Sequence, residues 1–315
     1  MSVENCSELH AHLRATLSLK LSDATTRFNG DLDAIGNFLN TFRAPPLGAG
    51  YRHIPTPARQ VLAAAVARDG KPAAERDFLF AALLTAMDDT LANPAFLRLP
   101  PRVACHQLRH YERILSNPGP THEACTLDDD LFLKDFGLAT LRMIAAGSNL
   151  IDTNSGVGRS VLWKGGWSAF MGRLALFFRT RGFRPFFEIH AHKFYMAEFN
   201  EAGRNECYRC CADLYEHYPT ARGMIAGSWF YDPAVATVSP HLSYLREVPE
   251  KGGAHVLFMS FDEAARSNAL AKSATRRRCY EAGTYRPAAY TLVWPRARHQ
   301  DWAQRHALHG GGAPV

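Results

Sequence analysis

Several things are missing from this sequence. No stretch reaches the roughly 18–20 continuous apolar residues that a membrane-spanning helix needs. The opening MSVENCSELHAHLRATLSLKL also has no apolar run of the kind a secretion signal carries. Both absences predict a soluble, cytoplasmic protein with no membrane partner. There is no internal repeat and no low-complexity segment, which excludes solenoid and collagen-like architectures. The motifs GxSxG, GxGxxG and GxxxxGK[ST] are absent too. That removes the nucleophile elbow, the dinucleotide fingerprint and the phosphate-cradling P-loop from consideration.

Cysteine is sparse and irregular. The seven residues Cys6, Cys105, Cys125, Cys207, Cys210, Cys211 and Cys279 make an odd number without regular spacing. This argues for a reducing compartment rather than a disulfide scaffold. Three of them crowd into CYRCC, 207–211, but a zinc site needs further ligands. The nearest histidine is His217, and no second CxxC exists. Small buried thiols on a helix facing a sheet fit better.

What is present is an ordinary globular composition, 47% hydrophobic and 21% charged over 315 residues, enough for a large core. The formal net charge of +6 leaves room for an anionic partner. Its location is informative: from Asp262 to His309 there are nine Lys or Arg against four Asp or Glu.

Periodicity divides the chain. Residues 1–145 read as mostly helical. Leu32, Ile35, Phe38, Leu39 and Phe42 recur at helical spacing, and TPARQVLAAAVARDG has Thr56 as an N-cap, Pro57 inside and Gly70 at its end. Residues 146–309 alternate strand-like and helix-like segments, the pattern of an α/β sheet with helices on its faces. NEAGRNECYRCCADLYEHYP is a helix capped by Asn200, ARGMIAGSWFYD a strand, and 262–282 one helix. Residues 310–315 form a flexible tail.

Chemistry concentrates in a few places. FFEIHAHKF, 186–194, read as a strand, puts Glu188, His190 and His192 on one face, because strand side chains alternate. Such a row can act as acid and base, hold a metal as a carboxylate–imidazole set, or form a polar sheet face. In RGMIAGSWFYDP, Gly227 and Ser228 within a strand imply a bulge or close approach of a ligand, and Trp229 and Tyr231 share a face. DTNSGVGRS, 152–160, is a glycine-rich turn whose amides could meet an anion with help from Arg159 and Lys164. The stretch SATRRRCYEAGTYRP supplies Arg276, Arg277 and Arg286, which with Arg246 could share an anion, with Tyr280 and Tyr285 nearby.

From 185 to 261 the order of elements resembles the core of the GNAT acyltransferases. PFFEIHAHKF stands for the strand carrying the base, NEAGRNECYRCCADLYEHY for the long helix, RGMIAGSWFYD for the strand that splays from the first, SPHLSYLREV for a short helix and AHVLFMSF for a further strand. The resemblance implies a GNAT-like mixed sheet holding an acyl thioester between the splayed strands. Glu188, His190 or His192 would be the base, and Tyr231 or Tyr244 the general acid. The family's phosphate loop is reduced here to FNEAGRNE, with Gly203 alone. A carrier-protein thioester or an aminoacyl-tRNA therefore suits the basic stretch better than acyl-CoA.

The expectation is an α/β protein with an α-helical N-terminal region that transfers an acyl or aminoacyl group to a small amine in biosynthesis. One alternative is a metal-dependent enzyme of the non-haem iron or zinc type, with His190, His192 and Glu188 or Glu198 as ligands. Another is a binding protein for RNA or another anion.

Overall fold

The computed structural model describes residues 3–28, 31–43 and 45–309; the tail 310–315 lies outside them. The protein is mixed α/β, and its chain divides into two compact units. One comprises the residues up to Asn154 together with Ala191–Glu198; the other comprises Ser155–His190 and Phe199 onward. Among the described residues no helix is long and apolar enough to cross a membrane.

The first unit is helical. Its elements are α1 (Val3–Arg27), α2 (Leu32–Asn40), α3 (Thr56–Asp69), α4 (Ala74–Leu91), the short α5 (Pro94–Leu97), α6 (Pro101–Ser116), α7 (Pro118–Glu123) and α8 (Asp130–Ala139). An antiparallel hairpin comes next, β1 (Met143–Ala146) with β2 (Asn149–Ser155). The expected boundary at 145 falls inside β1. Helix α4 is apolar on most faces and is accordingly the central, buried one. Around it Phe38, Phe78 and Phe136 form an edge-on aromatic cluster. Gln107 on α6 is fully buried and ties three elements together. Its amide nitrogen donates to Leu138 O (2.8 Å), and its oxygen accepts from Ala145 N (2.8 Å). Thr56, expected as an N-cap, is instead the first residue of α3; Pro55 stands at the cap position and has no side-chain oxygen to offer.

Cys6 on α1 and Cys105 on α6 form a disulfide with a Cα–Cα distance of 5.6 Å. The odd count hid this pair, because cysteines 99 residues apart show no local pattern. Among the described residues Cys125, Cys207, Cys210, Cys211 and Cys279 form no disulfide.

The second unit contains α9 (Gly166–Arg179), β3 (Phe186–Ala191), α10 (Glu201–Leu214), β4 (Gly223–Ser228), α11 (Val235–Val238), α12 (Tyr244–Lys251), β5 (His255–Ser260), α13 (Glu263–Ala271), α14 (Ala274–Glu281), β6 (Ala289–Pro295) and α15 (Arg296–His309). Its strands lie in the order β3-β4-β6-β5, with β3 parallel to β4 and the other pairs antiparallel. Alternation sends Phe186, Ile225 and Val293 to one side, where they pack with Leu176 of α9. It sends Phe187 and Trp294 to the other, against Tyr215, His299 and Trp302.

Three expected elements are shorter than the sequence indicates. β3 ends at Ala191, and the chain turns into a kinked 3-10 helix over Lys193–Glu198. β4 ends at Ser228, whose hydroxyl oxygen accepts from Phe230 N (3.2 Å) and caps a 3-10 turn. The helix expected over 262–282 breaks at Lys272 and Ser273, because the Ser273 side chain caps α14 by accepting from Arg276 N.

His299 is fully buried, with Tyr215 Oη 3.0 Å from its Nδ1. Burial lowers its pKa to about 3. An unfolded chain takes up this proton below about 6.5, so stability is lost as pH falls from there towards 3, by ~1.4 kcal/mol per pH unit. Urea melts between pH 7 and 4.5 are expected to show a flatter pH dependence for His299→Gln. An unchanged slope would assign the acid sensitivity to another group.

Candidate functional site

In the second unit β3 and β4 run side by side but pair at only two positions, Phe187↔Met224 and Glu188↔Ile225. The last three residues of each strand have no ladder partner on the other, so the two strands part beyond Glu188. Meanwhile β4 stays paired with β6 through Ser228. Glu188 and His190 lie on one face of β3, opposite Phe187 and Ile189, as alternation requires. Both are partly buried. The Ser155 hydroxyl donates to Glu188 Oε2 (2.6 Å), and His190 Nε2 lies 3.8 Å from the same oxygen. A carboxylate held by a hydroxyl with an imidazole beside it can take a proton and pass it on.

His192 is not part of this row. It lies past the end of β3, in the segment that belongs to the first unit, where its backbone N–H donates to Ser148 O (3.3 Å). The expected metal set Glu188, His190 and His192 is therefore split between the two units. Within the first unit His192 meets His110 of α6 and Asp135 of α8, and all three are fully buried. One ligand atom from each lies within 4.8 Å of the other two. The His110 and His192 rings sit edge to face with centroids 4.9 Å apart. Arg113 donates to Asp135 Oδ1, and His192 Nε2 is 3.4 Å from that oxygen without hydrogen-bond alignment. Burial pushes the His110 pKa well below its usual value. It lowers that of His192 as well, against the opposing pull of Asp135.

The segment carrying His192 is anchored on both sides. Lys134 of α8 donates to Ala191 O (3.0 Å), Tyr195 Oη donates to Arg109 O (3.3 Å), and Arg109 pairs with Glu198 (2.9 Å). Glu198 is thus engaged as the ion-pair partner of Arg109. His110 and Asp135 escaped the sequence reading, although a signal exists. Both occupy core positions of amphipathic helices, His110 in the stripe Val103, Gln107, Tyr111, Ile114, and Asp135 between Leu131 and Leu138.

The residues expected to bind a cofactor do not converge. Gly227 faces open space, with Thr291 Oγ1 3.9 Å from a built Cβ, so no close approach explains it. Ser228 is a cap, and Trp229 is buried beneath Arg276, whose guanidinium carbon lies 4.5 Å from the ring centre. Tyr231 is fully buried, and its hydroxyl accepts from Arg204 (2.5 Å). It sits on the 3-10 turn, so it shares no strand face with Trp229. Tyr244, at the start of α12, is more accessible, and burial raises its pKa. Arg246 makes a two-point contact with Glu250 (2.8 and 3.1 Å). Arg276 donates to Ala269 O and Ser239 Oγ, and Arg277 to Leu270 O and Ala271 O, so both cap α13 or its surroundings. Arg286 covers Phe261 at 4.1 Å. The Arg276–Arg277 stretch looks like one patch in sequence because a helix turns ~100° per residue while the letters stay adjacent.

Comparison with protein-family models, with curated protein sequences and with solved structures found no match.

Proposed function

We propose that the second unit transfers an acyl or aminoacyl group to a small amine, with Glu188 as base and His190 as its proton-sharing neighbour. The observation that carries this reading is the parallel β3/β4 pair, which is joined by α10 and paired at two positions only. Beyond Glu188 the main-chain N–H groups of such a strand pair are not engaged in the β3/β4 ladder, which lets them serve a substrate. Such groups stabilise the oxyanion that forms when an amine attacks a carbonyl. In the reaction the amine nitrogen bonds to the carbonyl carbon while Glu188 takes its proton. The carbon–sulfur or carbon–oxygen bond to the donor then breaks, and the departing thiol or hydroxyl leaves with a proton. Of the two tyrosines Tyr244 is assigned as the acid, because Tyr231 is sealed in the interior.

The nature of the donor is argued from α10. Asn200 caps its first turn by accepting from Gly203 N (3.0 Å), and Glu201 adds a negative charge there. Both features work against a pyrophosphate at that helix end. A carrier-protein thioester or an aminoacyl-tRNA fits better than acyl-CoA. A purely RNA- or anion-binding role has less support, since Arg246, Arg276, Arg277 and Arg286 are each engaged within the chain.

A thermal-shift screen with acyl-CoA, an acyl carrier thioester and aminoacyl-tRNA tests this, since a ligand at 100 times its Kd stabilises by about 2.7 kcal/mol. One donor class is expected to raise Tm and to yield an amide when a panel of small amines is added. No stabilisation by any donor and no amide product would overturn the reading.

A further inference from the structure

We propose that His110, Asp135 and His192 bind a divalent transition-metal ion of the zinc class, in a closed site within the helical unit. This does not depend on the acyl-transfer reading, which concerns other residues.

The first ground is the number of unsatisfied polar atoms in one place. Both ring nitrogens of His110, Nε2 of His192 and Oδ2 of Asp135 are buried and without a hydrogen-bond partner. Leaving a buried polar group unsatisfied costs about 1–3 kcal/mol, so these groups call for a shared partner, and a single ion would take one ring nitrogen of His110 together with His192 and Asp135. The second ground is donor chemistry. Two imidazoles and one carboxylate are nitrogen and oxygen ligands that suit zinc. The third is geometry. Ligand atoms around a tetrahedral zinc are about 3.4 Å apart, and the three here lie within 4.8 Å of one another, a gap that small side-chain rotations close.

The neighbours have defined consequences. Arg113 holds Oδ1 of Asp135 and leaves Oδ2 to the metal, the kind of outer contact that orients a ligating carboxylate. Its positive charge also weakens cation binding. Phe194 N approaches Nδ1 of His192 at 3.4 Å, a long contact. Ligation through Nε2 places the ring proton on Nδ1, so this contact must open. The ligands come from α6, α8 and the segment after β3, so a bound ion would pin that segment to two helices. Three protein ligands leave one coordination position for a water, which the full burial of all three side chains keeps apart from bulk solvent.

The test uses the untagged full-length protein. It is stripped with a chelator, incubated with excess Zn2+ or Co2+, desalted and measured for metal content, Tm and the visible spectrum of the Co2+ form. About one equivalent of metal, a higher Tm than the apo protein and a tetrahedral Co2+ spectrum are expected. Asp135→Asn and His192→Gln should bind at least about tenfold more weakly, whereas Glu188→Gln should bind like the parent. Less than about a tenth of an equivalent in the parent protein, which needs no variant to fold, would overturn the proposal. So would binding that Asp135→Asn and His192→Gln leave unchanged.

Discussion

Glu188→Gln is expected to lower the rate of acyl transfer by about 10²–10⁴-fold, the range for removing a positioned general base. The substitution is nearly isosteric. The Gln oxygen can still accept from the Ser155 hydroxyl, which lies 2.6 Å from Glu188 Oε2 in the parent. Melting temperature should therefore change little while kcat falls. A Ser155→Ala variant should have a smaller effect, because it loosens the carboxylate without removing it. Measuring kcat/KM against pH for the parent and both variants separates the roles. In the parent the rising limb reports ionisation of the base, and Glu188→Gln should abolish it. A variant that retains activity within twofold would move the chemistry away from β3.

Gly223→Ala is expected to cost about 3 kcal/mol or more of stability, at the upper end of overpacking effects. A Cβ at this position would lie 2.2 Å from the backbone oxygen of Trp294 and 2.8 Å from Phe186 Cε1. Neither neighbour can retreat. Trp294 is locked in β6 by its register with Met224, and Phe186 is fully buried. Gly227→Ala, four residues along the same strand, serves as the control and should stay within about 0.5 kcal/mol, because only Thr291 Oγ1 comes near, at 3.9 Å. Denaturant melts of the two variants check the contrast. Equal losses would mean that the closeness of β6 is not what holds a glycine at 223, since unfolded-state entropy favours Ala over Gly at both positions.

This contrast also shows what can be read from letters. Gly227, beside Ser228 and three aromatics, looked like the glycine under constraint. Gly223, near the start of the same stretch, carries no such signal. The constraint comes from Trp294, some seventy residues later, and no local pattern reports it. Helix ends were legible where the chemistry is local. Asn200 caps α10 by accepting from Gly203 N, and Gly70 closes α3 in the left-handed region. Element lengths were less so. β3, β4 and the helix expected over 262–282 all stop early, because His192, Ser228 and Ser273 find backbone partners outside the regular ladder.

The sequence by itself determined the division into a helical first part and a strand-alternating second part, and it placed Glu188 and His190 on one strand face. Both arise from periodicities of 3.6 and 2 residues, which neighbouring residues impose on one another. Only the tertiary structure decided that His192 leaves that face and joins His110 and Asp135. The row of alternating residues ends where β3 ends, at Ala191. Beyond that point the path of the chain is set by anchors from Lys134, Arg109 and Ser148, contacts between residues far apart in the chain. Periodicity carries no information about such contacts, and they place the buried histidines and carboxylate together.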